Sequence, residues 1–419
     1  MKTLKLSVLA AAIVAATTSY TTPVQAESFI DDSSLQLHLR NVYFNRDGRT
    51  SQNRFDNREW GQGVMLNYSS GYFADIIGFD MSYFGGVKLD DPGTNFTNFS
   101  QRDSEQDGID SISKIARAFV KAKVGDDNMN LNGIYGRVDM GTNLLMTSGS
   151  RLLPSSFKGG MIEANLYGAK FYVNRVTEIS ERDGSSFDDF GNDVDYVNTF
   201  GGSYELDNGL GFALDYGSSD SFLEQTFAKI YYTIDLGNDT KLYLEANKQW
   251  SEEDGSNHPT HNMADEYDSS YTNYNAQLSG GPITVSLSHS RIGGDDFQYS
   301  WDGDKDYGPI SAWTSRNWSD FNFEDEKTWQ VAFSYDFSDL GIPGLSLDTA
   351  YTYGYDIDDR GNTRRDSEWE RGSNIKYSFQ DTMLKGLSVR WNNWTYRGNT
   401  LAGDTNGNRI YIDYKIDLL

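Results

Sequence analysis

The sequence predicts an all-β chain: a transmembrane antiparallel β-barrel of 18 strands, with short periplasmic turns, long extracellular loops and an infolded constriction loop. Three observations lead there. Segments such as KTWQVAFSYDF (327–337) alternate strictly. Trp329, Val331, Phe333, Tyr335 and Phe337 form one apolar set, aromatic at both ends, and Thr328, Gln330, Ala332, Ser334 and Asp336 form a small or polar set. Such segments recur along the chain and are joined alternately by tight turns and long loops, a sorting that a soluble sandwich has no reason to make. The chain also opens with an export signal yet contains no cysteine, so no disulfide can staple a small secreted fold.

Residues 1–26 (MKTLKLSVLAAAIVAATTSYTTPVQA) combine a basic start at Lys2 and Lys5, a short apolar run over 6–16 and small residues before Glu27. That is the pattern of a secretory signal peptide, too short to span a bilayer. The expected organisation is a signal peptide at 1–26 and a single transmembrane β-barrel at 27–419, with no Pro- or Ser-rich linker between domains. Mean hydropathy is −0.61, and no later stretch is apolar for long enough to cross as a helix. A barrel reconciles a polar chain with a membrane because half of each strand faces water. Net charge is −25, and loss of Lys2 and Lys5 takes it to −27. That balance argues against nucleic acid as a partner, since phosphate contacts need a basic face.

The alternation defines candidate strands in order at 35–46, 58–68, 72–84, 112–123, 130–138, 159–165, 169–176, 195–206 and 210–217. The second half continues at 224–234, 241–249, 271–279, 282–290, 327–337, 345–354, 369–379, 386–396 and 408–418. Most are long enough to cross when tilted. Even-numbered strands end in tight-turn signals: SSG at 69–71, GDDN at 125–128, DNG at 207–209 and Gly280-Gly281. Odd-numbered strands lead mostly into long loops, at 85–111, 140–158, 177–194, 250–270 and 291–326. An even count puts both termini on the short-turn, periplasmic side. Closure is required because no backbone group can stay unpaired in lipid. In the last strand Ile410, Ile412, Tyr414, Ile416 and Leu418 are expected to face lipid, and Tyr411, Asp413, Lys415 and Asp417 the lumen.

Catalytic patterns are lacking. No GxSxG, HExxH or phosphate-binding loop occurs, and the histidines are His38, His258, His261 and His289. His258 and His261 (HPTH) lie near Asp265 and Glu266, but a solvated acidic loop explains them better than a metal site. No enzyme activity, cofactor or metal is expected. A lumen of 18 strands is too wide for side chains to fill, so a loop has to narrow it. MGTNLLMTSGSRLLPSSFK (140–158) is the candidate, because Leu144, Leu145, Leu152 and Leu153 are too apolar for an exposed loop, Pro154 stiffens it, and Arg151 sits among them. Strand parity places His38, Arg40, Arg117, Lys121, Lys123, Lys376, Arg390, Asn392, Trp394, Tyr396, Tyr411, Asp413 and Lys415 toward the lumen. Charges and aromatics there set selectivity, although each cation could equally balance a nearby carboxylate.

Several stretches resemble the OprD family of porins. SFIDDSSLQLHLRNVYFNRD (28–47) and REWGQGVMLNYSSGYFADIIGFDMSYFGGVKLD (58–90) are similar to its opening, and GSRLLPSSFKGG (149–160) to its constriction loop. WQVAFSYDFSDLGIPGLSL (329–347) and LKGLSVRWNN (384–393) resemble its C-terminal third, so the likeness spans the mature chain in order. The resemblance implies an integral protein of the bacterial outer membrane, a monomer or weak homotrimer, in contact with outer-membrane lipid and lipopolysaccharide. It implies uptake of small-molecule solutes: carboxylates, basic amino acids or peptides in many members, chito-oligosaccharides in the chitoporins. Acid-selective members carry a basic ladder, which Lys376 and Arg390 match here. Asn392, Tyr411 and Asp413 depart from it, and 315–329 (SRNWSDFNFEDEKTW) resembles the chitoporin branch. The expectation is therefore uptake of neutral or cationic solutes, with oligosaccharides stacking on Trp394, Tyr396 and Tyr411. The alternatives are a carboxylate channel with a basic track, and an outer-membrane barrel enzyme.

Overall fold

The computed structural model describes residues 29–49, 54–90, 99, 111–264, 266–303, 312–399 and 403–419. The segment read as a signal peptide lies outside the described residues. The strands are β1 (Ser34–Arg49), β2 (Arg54–Ser69), β3 (Ile77–Asp90), β4 (Ser111–Gly125), β5 (Met129–Val138), β6 (Ser156–Leu166), β7 (Ala169–Ser180), β8 (Val197–Glu205) and β9 (Leu210–Ser219). They continue as β10 (Leu223–Gly237), β11 (Thr240–Glu253), β12 (Asp268–Gly280), β13 (Ile283–Gly294), β14 (Lys327–Asp336), β15 (Leu345–Tyr355), β16 (Ser367–Ser378), β17 (Leu387–Arg397) and β18 (Asp404–Asp417). Each pairs antiparallel with its sequence neighbours, and β1 pairs with β18, so the 18-stranded sheet closes. The seam runs from Gln36↔Asp417 to Arg49↔Asp404 without a register shift. Closure leaves no sheet edge for lipid to meet.

The two strand faces separate as the alternation requires. On β14, Trp329 and Val331 are about half exposed (46% and 56%), whereas Thr328 and Gln330 are buried. At the periplasmic end Phe333 stacks on Tyr335 and Phe337 meets Tyr335 edge-on, as in an interfacial aromatic girdle. Ile410 and Ile412 face outward, and Tyr411 is buried inside.

One expectation about the connections changes. The SSG turn is wider than a tight hairpin: β3 starts at Ile77, and residues 70–76 form the connection. Ala74 and Asp75 adopt positive φ (55° and 56°), which breaks the strand, and Gly71 N–H donates to Phe29 O, tying the turn to the chain start. On the other rim β9 and β10 are joined by residues 220–222 only, so the sorting of long loops has an exception there. At Asn238-Asp239, between β10 and β11, both residues take positive φ (50° and 58°), the geometry of a two-residue hairpin that matches strand twist.

The lumen is not uniformly polar. Two apolar clusters line its walls. One gathers Val138, Leu144, Leu145, Phe157, Val176, Phe227 and Trp301; the other gathers Val42, Phe44, Met65, Phe84, Leu152, Leu153, Trp394, Tyr396 and Tyr411. A soluble protein buries its core between layers. This chain buries it between wall and infolded loops.

Candidate pore constriction

The loop between β5 and β6, residues 139–155, enters the lumen and crosses to the β1–β3 and β18 wall. Its leucines do not line the opening. Leu144, Leu145, Leu152 and Leu153 are fully buried against the wall. The GQG and FGG stretches of β2 and β3 explain how they fit. A Cβ at Gly61 would come within 2.9 Å of Leu152 Cδ2, one at Gly63 within 3.1 Å of Leu153 Cδ2, and one at Gly86 within 3.2 Å of Leu153 Cδ1. The missing side chains are sockets for the loop. Arg151 and Pro154 are half-buried beside them.

The loop tip is held by its own carbonyls. Arg40 Nη1 donates to Gly149 O (3.1 Å) and Arg151 O (3.2 Å), and the Tyr411 hydroxyl donates to Ser150 O (2.8 Å). Arg182, from the loop after β7, donates to Ser148 Oγ and Ser150 Oγ.

A second infolded segment, the loop between β13 and β14, was not foreseen. Backbone N–H groups of Asn317, Trp318 and Ser319 all donate to the Glu370 carboxylate (3.0, 3.2 and 2.9 Å). Ser319 Oγ and the Tyr396 hydroxyl donate to Glu368 (2.6 and 2.5 Å). The Trp318 ring stacks on Trp394 at 5.7 Å and 6°, and Arg46 and Arg409 cap the pair at 4.8 and 4.9 Å. Trp301 Nε1 donates to Leu144 O (2.7 Å), joining the two loops. Where the second loop meets β14, burial and then the neighbouring Glu368 charge push the Glu326 carboxyl well above its ordinary range.

This packing corrects the expected role of the aromatics. Trp394 and Tyr396 are wholly buried beneath the second loop, and Tyr411 is 2% exposed under Arg390 and the first loop. None of these rings offers a face to a solute.

The lumen cations fall into two groups. On β4, Arg117 pairs with Asp139 and Lys121 with Asp80 at 2.7 Å, while Lys123 lies over the Tyr72 ring. Burial, outweighing Arg117, raises the Asp139 carboxyl above its ordinary value. Arg117 and Lys121 therefore balance carboxylates. On β1 and β18, Asp413 accepts from Arg40 Nε (2.7 Å) and lies 2.7 Å from His38 Nε2, so its charge is neutralised in place. Lys376, Arg390 and Lys415 are different. Among the described residues none of them forms an ion pair. Lys376 and Arg390 are direct cross-strand neighbours, and the Arg390 guanidinium lies over the Tyr411 ring at 4.1 Å. Asn392 sits above them with its Oδ1 buried and unbonded.

Along the β10–β15 wall, a cavity of about 470 Å³ is lined by Lys229, Glu245, Trp313, Arg316 and Asp348 among others. Arg316 is spent on Asp348 (2.8 Å) and Gln330 (3.1 Å), and Trp313 Nε1 donates to Glu245 (2.9 Å). Lys376, Arg390 and Lys415 thus stand without ion pairs on β16–β18, whereas Arg316 is matched by Asp348 on the neighbouring β15. Sequence reasoning missed Arg46, Arg409, Arg182 and Arg316. Parity could have found the first two, since Arg46 alternates with Arg40 and Arg409 with Tyr411. The loop residues carry no such signal.

The HPTH stretch packs as a loop. His258 lies between Phe222 (4.8 Å) and Tyr267 (5.3 Å), burial pushes its imidazole below the ordinary value, and His261 Nδ1 is 3.2 Å from Glu253. Asp265 lies outside the described residues. His289 faces outward, stacked between Tyr274 and Trp329.

Comparisons with known proteins agree with this architecture. The family model for outer membrane porins of the OprD family matches residues 27–418. The chain is 27% identical to Porin D of Pseudomonas aeruginosa, covering all of both chains. It is 24% identical to the chitoporin of Escherichia coli, over 87% of this chain and 85% of that one. The crystal structure of Pseudomonas aeruginosa OpdQ superposes with a TM-score of 0.77 at 28% identity, covering 94% of this chain and all of the other.

Proposed function

The chain belongs to the OprD family of outer-membrane porins, and on that premise we propose that its pore favours small solutes bearing a carboxylate. It is an integral outer-membrane β-barrel of a channel family. The observation that carries the finer reading is the unpaired file of Lys376, Arg390 and Lys415 along one wall, beside an Asp413 already matched by Arg40 and His38. A carboxylate leaving bulk water meets positive potential from groups with no internal anion, and a narrow, low-dielectric passage strengthens that attraction. Arg390 supplies a planar fork suited to bidentate carboxylate binding. The oligosaccharide reading loses its support once Trp394 and Tyr396 are seen to be covered.

Single-channel recording in planar bilayers tests the proposal. Anion preference by reversal potential, current carried by benzoate, and a clear loss of both in Arg390→Gln are expected. Cation preference together with current block by acetylated chito-oligosaccharides would overturn the carboxylate reading and restore the saccharide one.

A further inference from the structure

The outer face of the barrel carries an arc where polar and basic side chains gather on three adjacent strands. On β16, Glu368, Glu370 and Gly372 are buried toward the lumen, so Trp369, Arg371 and Ser373 point outward. On β17, Trp394 and Tyr396 are buried, so Asn393, Thr395 and Arg397 point outward. On β18, Thr405, Gly407 and Arg409 are buried, leaving Asn406 and Asn408 outside. On other strands apolar residues such as Phe200 on β8, Leu214 on β9 and Ile230 on β10 are exposed, and single cations such as Arg175 on β7, bonded to Asn198 Oδ1 (3.1 Å), also point outward.

Two arginines in this arc have only neutral partners. Arg371 donates to Asn393 Oδ1, to Thr395 Oγ1 (3.3 Å) and to Ser373 Oγ (3.5 Å). Arg397 donates to Tyr396 O (2.7 Å), Thr405 O (3.1 Å) and Asn406 Oδ1 (3.2 Å). Neither forms an ion pair among the described residues. Asp404, at the start of β18, is taken by Arg365 at 2.5 Å. Between the two arginines lies Trp369, stacked on Tyr351 at 5.7 Å and 5.9 Å from the Arg397 guanidinium. Tryptophan marks the membrane–water interface, and Arg397 ends β17 on the extracellular side. Uncompensated guanidinium groups are costly against hydrocarbon but matched to phosphate at a headgroup.

We infer that the β16–β18 outer face binds the phosphorylated disaccharide headgroup of outer-leaflet lipopolysaccharide. Arg371 and Arg397 hold its phosphates, Asn406 and Asn408 meet sugar hydroxyls, and Trp369 packs where sugar gives way to acyl chain. Charge selects this occupant over a second copy of the chain, since a copy would have to bring carboxylates to an arc that has none of its own to spare.

The full-length mature protein in detergent tests this by native mass spectrometry, with bisphosphorylated lipid A, its dephosphorylated form and phosphatidylglycerol as probes. Retention of the bisphosphorylated lipid at least tenfold above the dephosphorylated one is expected, with that preference lost in Arg371→Gln/Arg397→Gln. Single-channel conductance stays at the wild-type value, because both residues point away from the pore. The single variant Arg397→Gln, at the strand end, gives a partial loss if the double variant folds poorly. Equal retention of both lipid A forms, or unchanged retention in the folded variants, overturns the inference. So does phosphatidylglycerol binding as tightly as lipid A, which would mean charge alone. A change of oligomeric state in the variants without a change in lipid retention assigns the arc to self-association instead.

Discussion

Replacing Leu152 with alanine should release the first constriction loop while leaving the barrel intact. The leucine is 1% exposed and rests where Gly61 and Gly86 leave space. Truncating such a buried leucine costs about 2–5 kcal/mol. A loss of about 3 kcal/mol shifts the ratio of docked to released loop by roughly 150-fold, since each 1.4 kcal/mol is tenfold. The wall strands do not depend on this residue for their hydrogen bonds, so the penalty falls on the loop. The assay is single-channel recording: the variant should show brief openings to a larger conductance that wild type rarely visits, with weaker selectivity in the open bursts. Filling the socket from the wall with Gly63→Val should give the same behaviour, because its Cβ alone would already press within 3.2 Å of the Leu152 carbonyl oxygen. A folded, heat-modifiable Leu152→Ala barrel with wild-type conductance and no added flicker would refute the idea that the glycine sockets hold the constriction.

Two further outcomes follow from the second loop. Glu370→Ala removes the acceptor of three backbone N–H groups; leaving buried donors unmet costs about 1–3 kcal/mol each, so hydrogen exchange at residues 317–319 should speed up markedly while strand amides stay protected. The Glu326 carboxyl is raised above its ordinary value of 4.5, which means the folded state favours the protonated form. Its contribution is therefore full below about pH 4.5 and is lost as pH rises through the raised folded value. Proteolysis of the segment 312–326 should be slower at pH 5 than at pH 8, and Glu326→Gln should flatten that difference; a variant keeping the wild-type slope would point to another group.

The barrel was legible because it rests on local rules. Alternation in 327–337 and 408–418 assigns faces residue by residue, and turn chemistry counts the strands. Parity also placed His38, Arg40, Lys376 and Arg390 on the inner face. What parity lacks is the third dimension. Trp394 and Tyr396 point inward as read, yet whether a ring meets solute depends on Trp318 and Ser319, more than 70 residues away in sequence, lying over them. Likewise the leucines of 144–153 signalled an infolded loop, but only the glycines of two distant strands show which way their side chains turn. The wide turn at 70–76 escaped because Ala74 and Asp75 carry no glycine to announce positive φ.

The hydrogen bonds at the loop tip run from Arg40 and Tyr411 to the carbonyl oxygens of Gly149, Ser150 and Arg151. Any amino acid supplies that oxygen. The tip is thereby a cassette whose side chains can be exchanged under selection for a new nutrient while its mooring to β1 and β18 stays the same, so diversification of the permeant need not be bought with a looser channel.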